Sequence, residues 1–403
     1  MFTAQRLILP QFHSWQLRPP MTTHQWIDTA DGLRQFCETL GDGPVAVDTE
    51  SDHFHSYQAR VCLIQLAGDE GAALVDPLGL DDDDLRPLFE LFEDPEITKV
   101  LHSARNDINE LDRDYGVGIE NLFDTQIAIR FLDYEKCGLD WMLQNLLDVE
   151  TGKAFSRYDW TTRPLPDEAL RYAADDVHHL LELRGRFIGE LQADGWLEPF
   201  RQQCQYIADS VQFVPNDFEA DGWRDLDGAS RLDGRGRATL KALYLWRHKL
   251  CTRLNRSAVT LLPNGPLMYL ARSRPQAVDE LEELRGVPDV LVDDYADEII
   301  GVIADAKASA VPPKSRPDSG DSRRSRPSRE ERARYDALRS WRNDTASRLG
   351  IPSEFVATNA TLTEISQNPP SNTDDLSRFE PILDWHVERF GNEMLEIASG
   401  ATV

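Results

Sequence analysis

The run Val45-Ala46-Val47-Asp48-Thr49-Glu50 closes an apolar stretch on two acids spaced two residues apart. In a strand, side chains alternate between faces, so Asp48 and Glu50 leave the same face at the strand's end. Two carboxylates held that way repel each other, and a cluster of carboxylates can hold cations that bridge to nucleic-acid phosphates. A strand simply running out into solvent accounts for them equally well. A further acid, Asp107, follows Lys99-Val100-Leu101 in the run His102-Ser103-Ala104-Arg105-Asn106-Asp107 and opens a helix. Helix capping and the helix dipole favour an acid there without any functional demand. In Tyr172-Ala173-Ala174-Asp175-Asp176-Val177-His178, Tyr172 and Asp176 are four residues apart and share one helix face.

These residues need a scaffold, and short β-branched or apolar runs predict strands at Val45 to Asp48, Val61 to Ala67, Ala72 to Val75 and Thr98 to His102. Helical spacing marks Leu85 to Phe92, Ile108 to Tyr115, Thr125 to Leu132 and one long stretch from Asp167 to Leu191. Strands first, then helices around one more strand, indicate an α/β domain with a mixed sheet. Beyond Phe213 the pattern becomes wholly helical, with a boundary between Val214 and Arg231. That half repeats itself at an offset of 95 residues: Trp246-Arg247 recurs at Trp341-Arg342, Asn264 at Asn359, Leu267 at Leu362 and Glu298 at Glu393. A shared ungapped register implies two copies of one small helical domain. Between them, Val311 to Ser328 is rich in Pro, Ser, Gly and Arg and reads as a flexible, locally basic linker.

A length of 403 residues suggests several domains, and no apolar run approaches the ~18 residues of a membrane span, so a transmembrane protein is not expected. Met1 to Pro20 lacks the continuous apolar stretch of a secretory signal, which points to an intracellular protein. Five widely spaced cysteines without a C-x-x-C pair signal neither a disulfide framework nor a zinc knuckle. A net charge of -27 opposes indiscriminate coating of a polyanion, yet it permits a local arginine-lined, cation-bridged cleft. The same acidity suits a surface hydrated in high salt.

Taken in order, D-x-E on a strand, Asp at a strand-to-helix junction and Y-x-x-x-D on a later helix resemble the DEDDy group of 3′–5′ exonucleases. The surrounding phrases resemble the ribonuclease D family: VAVDTE, CLIQL, LVDPLG, KVLHSARND, FDTQIA, DWTTRPL and RYAADDVHHLL. The helical repeat is similar to the HRDC domain in its WR start, central N-x-x-L and final aromatic-x-x-E. The resemblance implies a ribonuclease H-like α/β exonuclease domain over residues 25–213, preceded by an N-terminal segment 1–24. All-α HRDC-like domains follow at 229–308 and 329–403, joined by a 309–328 linker. It implies two divalent metal ions, Mg²⁺ or Mn²⁺, held by Asp48, Glu50, Asp107 and Asp176, with Tyr172 orienting or helping to deprotonate the attacking water. Lys153 and Arg163 are expected to contact phosphates. Asp175, Asp124 and His102 are expected to be neighbours of the site rather than ligands, and Trp160 to be core.

The implied activity removes nucleotides one at a time from RNA with a free 3′ end, releasing nucleoside 5′-monophosphates. Its expected substrates are tRNA precursors or other small structured RNAs, and the expected protein is a cytoplasmic monomer. A DNA exonuclease on the same scaffold and a catalytically silent RNA-binding scaffold are the rivals. The run Ser51 to Tyr57 departs from the bacterial wording and is similar to nuclear-exosome-associated relatives. No Cys or Asp at ligand spacing supports a transition-metal site at His53 and His55.

Overall fold

The computed structural model describes residues 24–69, 71–150, 155, 157–215, 217–284, 286–306 and 327–400. The expected N-terminal segment apart from His24, the linker as far as residue 326, and Lys153 lie outside them. Six strands form one mixed sheet: β1 (His24–Ile27), β2 (Val45–Ser51), β3 (Val61–Ala67), β4 (Ala72–Val75), β5 (Lys99–Leu101) and β6 (Leu122–Asp124). Their spatial order is β1-β4-β3-β2-β5-β6, with β2, β3 and β4 antiparallel to their neighbours in that group and β1, β5 and β6 added in parallel. β3 is buried along its whole length, as its nearly unbroken apolar run requires of a strand covered on both faces.

Eight helices accompany the sheet: α1 (Ala30–Leu40), α2 (Asp82–Glu93), α3 (Arg105–Tyr115), α4 (Thr125–Phe131), α5 (Leu139–Leu146), α6 (Asp167–His178), α7 (Leu180–Ala193) and α8 (Leu197–Ser210). The single helix expected from Asp167 to Leu191 is two, interrupted at His179. The edge strands β1 and β6 extend the sheet beyond the four expected strands.

The first helical unit contains α9 (Gly234–Leu254), α10 (Ala258–Leu261), α11 (Asn264–Ser273), α12 (Val278–Glu282) and α13 (Asp289–Asp305). The second contains α14 (Arg329–Leu349), α15 (Ser353–Val356), α16 (Asn359–Gln367) and α17 (Asp384–Ala398). Ser328, at the edge of the expected linker, is the N-cap of α14, and Glu331 completes a capping box with it. The sequence repeat is a structural repeat as well. Trp246 Nε1 donates to Glu298 Oε2 at 3.0 Å and Trp341 Nε1 to Glu393 Oε2 at 2.6 Å. Arg247 Nη1 donates to Asn264 Oδ1 at 2.9 Å and Arg342 Nη1 to Asn359 Oδ1 at 2.8 Å.

The two copies attach differently. The second shares the hydrophobic core of the α/β unit, where the Phe131 ring meets Phe355 at 4.7 Å and Trp385 at 6.0 Å between centroids. The first keeps a separate core and grips the segment just after β2. There Ser257 N donates to His55 O at 2.8 Å, Gln58 N donates to Asn255 Oδ1 at 2.9 Å, and Tyr57 Oη bonds His248 Nδ1 at 2.9 Å.

Candidate active site

β2 pairs with β5 only through Val45 and Ala46, and past Ala46 the two strands are no longer paired with each other. The opening is filled by α3. Asp107 Oδ1 accepts the Thr49 backbone N–H at 3.2 Å and the Thr49 hydroxyl at 2.7 Å, taking the place of a missing strand. On its other flank β2 stays paired with β3 until a register shift between Glu50 and Ser51. The irregularity there shifts the pairing immediately beyond the second acid, and it resumes at Ser51 with Val61.

α6 lies over the sheet on Ala169, Ala173 and Val177, all buried, and the two alanines permit a close approach to β3 and β4. Its next face carries Tyr172 and Asp176, both half-buried, whereas Asp175 is exposed. The result is that one carboxylate oxygen each from Asp48, Glu50 and Asp176 lies within 4.8 Å of the others. Asp107 stands outside that trio, fastened to Thr49 between the two β2 acids. Beside them opens a cleft of about 220 Å³ lined by residues that include Glu50, His53, Asn106, Asp107 and Glu110.

Burial and like charge push these carboxyls upward together. Asp48 is raised well above its ordinary value by burial, then by Asp107, Asp176 and Glu50. Glu50 is pushed up to about 9 by burial, then by Asp176, Asp107 and Glu110. Burial takes Asp107 and Asp176 to about 7, despite hydrogen bonds from Thr49 and Tyr172 respectively that pull the other way. Burial, Asp176, Glu50 and Asp48 hold the Tyr172 phenol well above its ordinary value, so it keeps its proton and hydrogen-bonds Asp176. Among the described residues no Lys or Arg forms a salt bridge with Asp48, Glu50, Asp107 or Asp176.

The residues around this group have structural work to do. Asp124 is almost wholly buried and accepts the backbone N–H groups of Ser103, Ala104, Gln126 and Ile127. It thereby ties the turn after β5 to the start of α4 and sets where α3 begins. His102 Nδ1 bonds the Thr125 hydroxyl at 3.0 Å, and Trp160 is buried. His53 and His55 part company: the first bonds the Ser51 hydroxyl, the second the Arg157 carbonyl. Arg163 corrects an expectation. Its Nε and Nη2 bind Asp76 at 2.7 Å each, Nη2 also reaches Cys62 O, and Nη1 serves the carbonyls of Trp160 and Thr162. All five donors of the guanidinium are used within the protein, so none is left for a phosphate. Glu110 was not anticipated; it lies one turn after Asp107, and that i,i+3 spacing was its available signal.

The donor set is entirely carboxylate, which suits hard divalent cations and not the softer metals that favour thiolate or imidazole. The mutual repulsion supplies the complementary observation: the group lacks positive charge that such cations would bring.

Comparisons with known proteins agree with this geometry. Residues 24–192 match the 3′–5′ exonuclease domain family, and residues 237–303 and 331–398 each match the HRDC domain. The chain is 33% identical over 268 residues to ribonuclease D of Escherichia coli, covering 65% of this chain and 69% of that protein. It is 32% identical over 257 residues to exosome complex component 10 of Rattus norvegicus, covering 62% of this chain but 29% of the relative. The crystal structure of Escherichia coli RNase D, described as an exoribonuclease involved in structured RNA processing, superposes with a TM-score of 0.61 at 26% identity, covering 94% of this chain and all of that one. An exonuclease domain with an acidic site at the β2–β5 opening, two HRDC domains and this identity over two thirds of the bacterial enzyme place the chain in the ribonuclease D family of 3′–5′ exoribonucleases.

Proposed function

We propose that the protein trims the 3′ ends of RNA by two-metal-ion hydrolysis, with Asp48, Glu50, Asp107 and Asp176 holding Mg²⁺ or Mn²⁺. The observation that carries this reading is the trio of carboxylate oxygens within 4.8 Å, half-buried and mutually repelling. Bound there, two divalent cations would supply the acidity that turns water into a nucleophile and the charge that stabilises the leaving 3′-oxygen. The chain's own residues do the positioning. Asp48 and Glu50 are fixed by the β2–β3 ladder, Asp107 by its two bonds from Thr49, and Asp176 by α6. Tyr172, one turn before Asp176, orients or helps to deprotonate the attacking water. The bond between phosphorus and the 3′-oxygen breaks, so the shortened RNA keeps a 3′-hydroxyl and the 3′-terminal nucleotide leaves as a nucleoside 5′-monophosphate.

The substrates in this reading are RNAs with a free 3′ end, tRNA precursors and other small structured RNAs among them, in keeping with the role stated for the Escherichia coli relative. Lys153, outside the described residues, is the basic residue assigned to RNA phosphates. The division of the chain into an exonuclease unit at 25–213 and HRDC units at 229–308 and 329–403 belongs to the same proposal, as does a monomeric state. Among the described residues no helix is long and apolar enough to cross a membrane. All five cysteines are free thiols, which suits the reducing cytoplasm to which this reading assigns the protein.

The test is a 5′-labelled single-stranded RNA with a free 3′-hydroxyl, and its DNA counterpart, incubated with Mg²⁺, Mn²⁺ or chelator. The expected result is a metal-dependent ladder that shortens from the 3′ end of the RNA. It is lost in Asp48→Ala and slowed about tenfold in Tyr172→Phe, the worth of one hydrogen bond to a charged group. Shortening that persists in chelator or in Asp48→Ala would contradict the assignment.

A further inference from the structure

Gln65 lies in the middle of β3 with no solvent exposure, and neither its Nε2 nor its Oε1 has a hydrogen-bond partner. Leaving a buried amide in that condition costs on the order of 1–3 kcal/mol, whereas an aliphatic side chain of the same length would cost nothing of the kind. The ladder says what surrounds it. Gln65 is the cross-strand partner of Asp48 on β2 and of Leu74 on β4. Residues directly opposite in antiparallel strands project from the same face, with Cβ atoms about 4.5–5.5 Å apart. Leu63, two residues earlier on that face of β3, packs with Leu74, Ala169 and Ala173 beneath α6. The residues directly opposite Gln65 on that face are therefore one apolar side chain and one carboxylate, and that carboxylate is Asp48, with Glu50 a diagonal neighbour.

We propose that Gln65 is a positioning residue of the cation site, its amide N–H donating to the Asp48 carboxylate when cations are bound. This rests on the cation-holding reading given above. The Nε2 group offers two protons, and a glutamine side chain swings through a broad terminal torsion, so a small rotation brings the donor to the acid. The bond would fix the rotation of the carboxylate about its own axis and hence which oxygen faces the ions. Supporting residues of this kind change metal affinity without touching the metal. In the metal-free protein the same amide contributes no bond at all, so its removal should not loosen the fold. A side chain that merely filled space in the sheet would behave in the opposite way on both counts.

The experiment titrates Mn²⁺ calorimetrically into the chelator-stripped full chain, as wild type, Gln65→Leu and Gln65→Met, and records the thermal midpoint of each in chelator. Methionine keeps glutamine's unbranched length, so it serves if the branched leucine fails to fold. We expect the Mn²⁺ dissociation constant to rise about 10–100-fold in the variants, with a metal-free thermal midpoint equal to or above that of wild type. Wild-type affinity within twofold in a folded variant would overturn the role assigned to Gln65 while leaving the cation site standing. A wild-type chain that takes up no Mn²⁺ would overturn the cation reading itself, and the two failures are thus distinguishable.

Discussion

Arg247 and Arg342 are 6% and 7% exposed in the two HRDC units, and each is met by an asparagine oxygen and a backbone carbonyl from its own unit. Asp48, Glu50, Asp107 and Asp176 gather in the exonuclease unit, and there what each carboxyl meets most closely includes other carboxyls. Both regions take charge out of water, which is costly unless partners are supplied. In the HRDC units the partners are encoded at fixed spacings, so the same bond recurs 95 residues later with nearly the same length. In the exonuclease unit the chain brings like charges together and meets them with neutral donors, among them the Thr49 amide and hydroxyl and the Tyr172 phenol. A buried charge completed by the fold serves the fold. One left facing its own kind is arranged for something that arrives from outside.

Removing charge from the two regions should therefore do different things. The largest contrast is in activity: Asp48→Ala is expected to lower the rate on a short RNA by more than about 100-fold, beyond the usual loss for a supporting residue. Arg342→Met, measured on the same oligonucleotide, should leave the rate within a factor of about two, since the arginine's bonds all stay inside α14 to α16. Equal losses in both would erase the distinction.

Stability gives the reverse ranking. Arg342→Met strands the Ala357 carbonyl and the Asn359 amide, and urea unfolding should show a loss of about 1–3 kcal/mol. Because this unit shares the core of the exonuclease domain, the loss should appear in the main transition and not as a separate early one. An early, small transition would mean that the shared core is not cooperative.

The dependence on pH is a smaller effect and sharpens the same point. Glu50 is raised to about 9 and Asp107 and Asp176 to about 7, from ordinary values of 4.5 and 3.8. Below the ordinary values both folded and unfolded chains hold these protons, and the stability linked to them is fully present. Above them the unfolded chain releases protons that the folded one retains, so metal-free stability falls as pH rises, and the slope from these groups ends near pH 9. Calorimetric scans in chelator from pH 5 to 9 should show a shallower decline for Glu50→Gln than for wild type. An unchanged decline in that variant would mean that Glu50 ionises in the fold as it does in water.

Much of this was legible beforehand because it follows local rules. The strands β3 and β4 announce themselves as apolar runs, and the two β2 acids fall on one face by simple alternation. β1 and β6 did not: they have four and three residues, and they exist through parallel pairing with partners far along the chain. The break at His179 was hidden because neither glycine nor proline marks it and the apolar spacing continues across it. Arg163 misled for a related reason. Its charge and its place near the site are visible in the sequence, but Asp76, its partner 87 residues away, is supplied only by folding. Gln65 and Glu110 likewise acquire meaning from the strand and helix that carry them against Asp48 and Asp107.

The most direct measurement is the thermal stability of wild type and Asp48→Asn, each in chelator and in Mn²⁺. In chelator the variant, relieved of one member of a repelling group, should melt at or above the wild type, and Mn²⁺ should raise the wild type far more than the variant. A variant that melts below the wild type in chelator, or a wild type that Mn²⁺ leaves unmoved, would contradict the account of these carboxylates as a site completed by cations.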